Sequence, residues 1–334
     1  MSNSMAVGKV AEFWRVLRDV NPDSVRREME RGFTLALLGN EERGREAVRR
    51  ALRPADGHEI GEYLLELAEV GTMAERALPP RADLYLYVVD AACGLSGADI
   101  SALEQLYLMA RPTALVFAGE GCETLAGEME QVSRDLGGLV SQTLAIDPAD
   151  QDNVDRVVTA ALVRALPTRA LALARSVKNV RAEVVDILIA ETSRVNAEFA
   201  LLSNLPANVP ILGTVLGTGA DLVVLTKNQT MLVLKLAAIY GRDLGRKWRL
   251  AGEVVPVVGA AFAWRSVARL LVGMLPSPVA ALPKTAIAYA GTYVVGKMAR
   301  FYYENGHRPS QRETQQFAEA AAQDWRRALS ETAG

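Results

Sequence analysis

Gly39, Gly44, Arg45 and Glu46 follow the largely apolar run Phe33–Leu38 and are the residues best placed to do chemistry. Gly39 and Gly44 have the glycine spacing of G-x-x-x-x-G-K-[ST], a loop whose backbone N–H groups cradle phosphates. A working loop also needs a Lys on the β/γ-phosphates and a Ser or Thr hydroxyl on Mg²⁺. Here those two positions hold Arg45 and Glu46. Glu41 and Glu42 lie inside the loop and would face a triphosphate with like charge. At about 4 Å and an effective dielectric near 20, each such clash costs on the order of 4 kcal/mol. The spacing predicts a nucleotide-binding fold that has lost its nucleotide and the Mg²⁺ that would accompany it. Two glycines at this spacing after one strand are also common without function, so the surrounding elements decide the matter.

Those elements alternate between strand and helix over residues 33–167. The apolar runs Phe33–Gly39, Asp83–Asp90, Thr113–Gly119 and Leu139–Ile146 predict four strands. Helical patterns fall at Glu41–Leu52, Ile60–Leu78, Gly97–Met109, Cys122–Leu136 and Gln151–Leu166. Strands this apolar are buried on both faces, as in a parallel sheet covered by helices. The expected class is α/β followed by all-α, with a right-handed, doubly wound sheet of about four strands.

ADLYLYVVDA (Ala82–Ala91), SGADISALEQL (Ser96–Leu106) and RPTALVFAG (Arg111–Gly119) together resemble the second half of an Era-like small GTPase. In that family a strand ends in V-D-A, a helix follows, and the next strand ends in N-K-x-D. The closing helix after Ala145-Ile146-Asp147 resembles the segment behind the family's guanine loop. Applied here, the resemblance puts the N-K-x-D positions on Ala118, Gly119, Glu120 and Gly121, so the base-binding Asp is missing. No D-x-x-G lies between Arg53 and Ala82, a stretch also too short for two further strands. Phosphate, metal and base functions are all lost, which implies a truncated pseudo-GTPase kept for its shape. Asp90 survives, but an Asp at a strand end is most simply a turn or helix cap.

Composition shifts after Pro167. Thr168–Ser203 has neither Gly nor Pro and predicts one long helix, ended by Asn204-Leu205-Pro206. Three apolar blocks follow, Val209–Gly241, Leu250–Pro276 and Val279–Phe301. A membrane span needs about 20 predominantly apolar residues. These blocks are interrupted by Asp221, Lys227, Lys235, Glu253, Arg265, Arg269, Lys284 and Lys297, each expensive at mid-bilayer. The pairs Gly213/Gly217, Gly259/Ala263 and Gly291/Gly296 allow close helix packing in lipid or in a bundle. A buried or shallowly inserted bundle is expected, with hairpin insertion as the alternative. Arg242, Arg246, Lys247 and Arg249 form a basic cluster able to meet anionic lipid at about 1 kcal/mol per residue. A solvated helix end explains the cluster equally well.

Leu225–Gly241, Val254–Phe262 and Leu282–Gly306 resemble the helical domain of unknown function that follows Era-like GTPase domains in bacteria. The resemblance implies membrane association for some members and no activity that can be assigned to residues. Asn228 and Gln229 match its motif and are expected to hydrogen-bond between helices. Ser310 and Glu313 predict a capping box at the start of a last helix. Phe317, Ala321, Trp325 and Leu329 give that helix one apolar stripe, for packing on the bundle or for a homo-oligomer face.

The 334 residues suffice for two domains, and half of them are apolar. Lys plus Arg total 37 against 39 Asp plus Glu, so no basic field points to nucleic acid. Two cysteines, Cys93 and Cys122, make no disulfide scaffold and favour a reducing, cytoplasmic setting. Two histidines, His58 and His307, make a zinc site improbable. Residues 1–32 lack the apolar core of a signal peptide; Val10, Phe13, Trp14 and Leu17 instead mark an amphipathic helix. Three functions follow as expectations. One is a non-catalytic scaffold at the membrane face whose partners are an active GTPase and anionic lipid. The second is an unconventional nucleotide enzyme in which Arg45 meets a phosphate. The third is a soluble interaction module.

Overall fold

The computed structural model describes residues 21–66, 81–120, 136–202, 220–244 and 282–332. The chain divides into two compact units, Glu28–Val184 and Val185–Gly334 with Met1–Arg27. Residues 67–78 and 122–135 of two predicted helices, the predicted helix around Val10–Leu17 and the block Leu250–Pro276 lie outside the described residues.

In the first unit, β1 (Leu35–Gly39), β2 (Leu64–Glu66), β3 (Leu84–Asp90), β4 (Thr113–Ala118) and β5 (Gln142–Ile146) form one parallel sheet. Its order is β2-β1-β3-β4-β5. Every residue of β1 and β4 is buried, as is β3 up to its terminal Asp90. That burial explains why these strands carry continuous apolar runs. The unit has α1 (Pro22–Glu30) at its entrance, shared across the unit boundary, then α2 (Glu42–Ala51), α3 (Gly97–Leu108), α4 (Gln151–Ala165) and α5 (Ala170–Ser176). On one face of the sheet, Tyr85, Tyr87, Leu115 and Phe117 pack with Leu103 and Leu106 of α3. Each such apolar side chain contributes about 1.5–3 kcal/mol when fully buried. α2 and α4 pack side by side, and Gly44 of α2 lies against Val88 and Ala118, which alternate with those residues along β3 and β4.

Two sequence expectations are corrected here. The sheet has five strands, because the segment beginning at Ile60 is not helical throughout. A single 3₁₀ turn, Ile60–Glu62, leads into β2, which pairs with β1 at the sheet edge. β2 is only three residues, LLE, with burial falling from Leu64 to Glu66, so it carries no apolar run to reveal it. The long helix expected from Thr168 is also interrupted. A 3₁₀ turn (Pro167–Arg169) and α5 precede Val177, which is extended (φ −105°, ψ 118°), and α6 (Lys178–Leu202) starts afresh. Val177 bridges Pro54: Ala55 N–H donates to Ser176 O (2.8 Å) and Lys178 N–H to Arg53 O (3.1 Å). These tertiary bonds replace the helical ones locally, and Arg53 adds a fork onto Asn179 Oδ1 at 3.1 and 2.8 Å.

α3 shows how local chemistry fixes an element. Ser96 and Asp99 form a reciprocal cap at its start. The Tyr87 hydroxyl donates to Asp99 Oδ1 at 2.8 Å beneath it, and burial together with that carboxylate pushes the phenol far above its ordinary range. At its end, Ala110 N–H donates to Tyr107 O (2.8 Å) and Arg111 N–H to Leu106 O (2.9 Å). This is the paired C-terminal bonding that calls for a left-handed residue, usually Gly. Ala110 adopts φ +52° there despite its Cβ. Ala110→Gly is expected to raise stability by about 0.5–1 kcal/mol, the net of relieved strain and added chain entropy. Urea denaturation would measure it, and an unchanged midpoint would show that Ala110 carries no strain.

In the second unit α7 (Ala220–Ile239) and α8 (Leu282–Asn305) run in the same direction, as the successive contacts Gln229–Thr292 and Tyr240–Tyr303 show. α6 runs opposite to α8: Asp186 meets Lys297 and Arg300, while Asn196 meets Thr292. Gly296 lets Ile189 approach so closely that an added Cβ would lie 2.6 Å from Ile189 Cγ1. Asn228 donates to Asn196 Oδ1 (2.7 Å) and Gln229 to Thr292 Oγ1 (3.2 Å), so both amides bridge helices as their placement predicted. α9 (Gln311–Thr332) opens with the expected Ser310–Glu313 box. Two residues of its stripe lie on α8, with Trp325 5.1 Å from Tyr289 and Phe317 6.2 Å from Phe301 between ring centroids. Among the described residues no single helix is long and apolar enough to cross a membrane.

Candidate functional site

In an open, doubly wound sheet the ligand crevice lies beyond the carboxyl ends of the strands, where the strand order reverses. Here that point is between β1 and β3, so Gly39 and the start of α2 are the residues to inspect. Only Asn40 and Glu41 separate the end of β1 from α2. The helix therefore begins before Gly44, and Gly44 and Arg45 sit within its first turns rather than in a loop. Of the backbone amides here, Arg43 and Gly44 N–H donate to the Glu41 carboxylate and Arg45 N–H to the Glu41 carbonyl.

Both glycines are held by packing. Gly39 has φ +119°, and a Cβ there would overlap the Val88 carbonyl oxygen and lie 2.7 Å from Val88 C and N. At Gly44 a Cβ would meet Ala118 Cβ at 2.5 Å and Val88 Cγ1 at 2.9 Å. Their positions fit close approach of β1 and α2 to β3 and β4, which needs no ligand.

Glu41 decides the chemistry. It is the N-cap of α2, and its carboxylate accepts from Arg43 N–H at 3.3 Å and from Gly44 N–H. A helix N-terminus favours an anion because its first N–H groups are unpaired and its dipole is positive there. Phosphate-binding helices use that end for the ligand. In this chain its own carboxylate takes the position. The sequence marks Glu41 as a like-charge obstacle and as the first residue of the helical pattern; its role as the cap is the further fact that the structure supplies.

The other predicted positions are dispersed. Arg45 Nε is buried with no hydrogen-bond partner among the described residues, and Glu46 is exposed, 3.9 Å from Arg49. Arg49 in turn holds Glu66 of β2 at 2.8 Å. Asp90 closes its own turn, accepting from Ala92 N–H at 2.8 Å. It also holds the Cys93 thiol at 3.4 Å, and that hydrogen bond, with the carboxylate charge, raises the thiol's pKa and keeps it from being a ready nucleophile. Ala118 O accepts Ala91 N–H (2.9 Å) and Gly119 N–H donates to Ile146 O (3.0 Å), so Ala118 and Gly119 are tied to the turn after β3 and to β5. Asp147 and Asp150 likewise accept backbone N–H groups of their own turns, at 2.9 and 3.1 Å. Among the described residues no group of three or more His, Cys, Asp and Glu could hold a metal ion.

No protein-family model matches this chain, and no curated protein matches it.

Of the basic cluster, Arg242 is exposed, with its guanidinium 5.8 Å from the Tyr303 ring centroid. Arg246, Lys247 and Arg249 lie outside the described residues. His58 and His307 serve locally: His58 Nδ1 meets Glu62 at 2.9 Å and His307 meets the Arg308 carbonyl at 3.1 Å.

Proposed function

We propose that this chain is a non-catalytic, pseudo-GTPase-like scaffold whose α/β unit engages a protein partner instead of GTP. The observation that carries the reading is the Glu41 carboxylate seated on the N-terminus of α2, where a nucleotide phosphate would need to bind. An incoming phosphate would lose those N–H groups to Glu41 and meet its charge, a clash on the order of 4 kcal/mol at about 4 Å. Glu46 in place of a hydroxyl and Ala118-Gly119-Glu120 in place of a base-binding sequence support the same reading. The test is titration of the full chain with a fluorescent GTP analogue and Mg²⁺. No saturable binding is expected up to about 1 mM, and a Kd near 1 μM would sink the proposal. GTP hydrolysis abolished by Arg45→Ala would instead support an unconventional enzyme.

We further propose that the helical unit brings this scaffold to an anionic membrane surface. Arg242, just beyond the end of α7 and braced by Tyr303, supports that reading. The expected result is recovery of the expressed chain with bacterial membranes and its release by alkaline carbonate. Retention through carbonate would mean inserted helices. Absence from membranes at the outset would leave a soluble interaction module.

A further inference from the structure

We draw no further inference here: the strongest candidate, the exposed apolar stripe of Ile100, Tyr107 and Leu108 on the outer face of α3, is an unpartnered helix face, and nothing in the structure shows what covers it.

Discussion

Gly39→Ala is expected to disrupt the α/β unit, with a loss of more than about 3 kcal/mol. Two effects combine. At φ +119° an L-residue is strained whatever the space around it. The new methyl also has no room, because Gly39 is in register with Val88 and the obstructing atoms are Val88 backbone. A side chain could rotate away; a strand in the middle of a parallel sheet cannot. Relief requires parting β1 from β3 at the end of the sheet where α2 begins. Gly57→Ala provides the comparison, since Gly57 has φ +81° but nothing within 4 Å of an added Cβ. That variant should lose only about 1–2 kcal/mol, the left-handed backbone cost alone. Hydrogen exchange of the β1 and β3 amides, read beside urea denaturation, separates the two. Equal losses in both variants would show that β1 and β3 part easily, and the close-packing account would fail.

The second large effect is predicted for the polar core of the helical unit. Thr292 Oγ1 accepts from Asn196 Nδ2 at 2.8 Å and Gln229 Nε2 at 3.2 Å, and donates to Ala288 O at 2.9 Å. Asn196 and Thr292 are fully buried and Gln229 is 5% exposed. Thr292→Val preserves shape and removes the shared acceptor. Two buried amide donors then lose a partner, each at about 1–3 kcal/mol, for a total of about 2–6 kcal/mol. Thr292→Ser keeps the hydroxyl and loses one methyl group, at about 1 kcal/mol. Hydrogen exchange of the α7 and α8 amides, read beside urea denaturation, reports on this unit selectively. A Val variant no less stable than the Ser variant would mean that the three side chains do not depend on one another.

That network and the Gly39 contact differ in how far the sequence reveals them. Asn228 and Gln229 stand out as amides inside an apolar helix, where an unpaired polar group is costly, so bonding between helices can be anticipated. Their partners, Asn196 and Thr292, come from segments 32 and 63 residues away and carry no local mark. Gly39 can be read as a strand end and the first glycine of a phosphate-type loop, but not as a position closed by the Val88 backbone.

The sequence by itself determined the central strands and the cap of α9. Strands buried on both faces must be apolar throughout, and caps use neighbours three residues apart, so both leave local signatures. It also excluded the phosphate-loop Lys and hydroxyl, because a residue's chemistry is independent of its fold. Only the tertiary structure decided three other matters. β2 exists because β1 offers it an edge, although LLE alone has too little apolar length to announce a strand. The helical sequence breaks at Val177 because Arg53 and Ala55 supply backbone partners from more than a hundred residues earlier. Glu41 occupies the anion position of α2 because the helix starts two residues after β1 ends, leaving the carboxylate in reach of the Gly44 N–H. In each case the deciding partner is distant or depends on where a neighbouring element begins, which residue type and spacing do not encode.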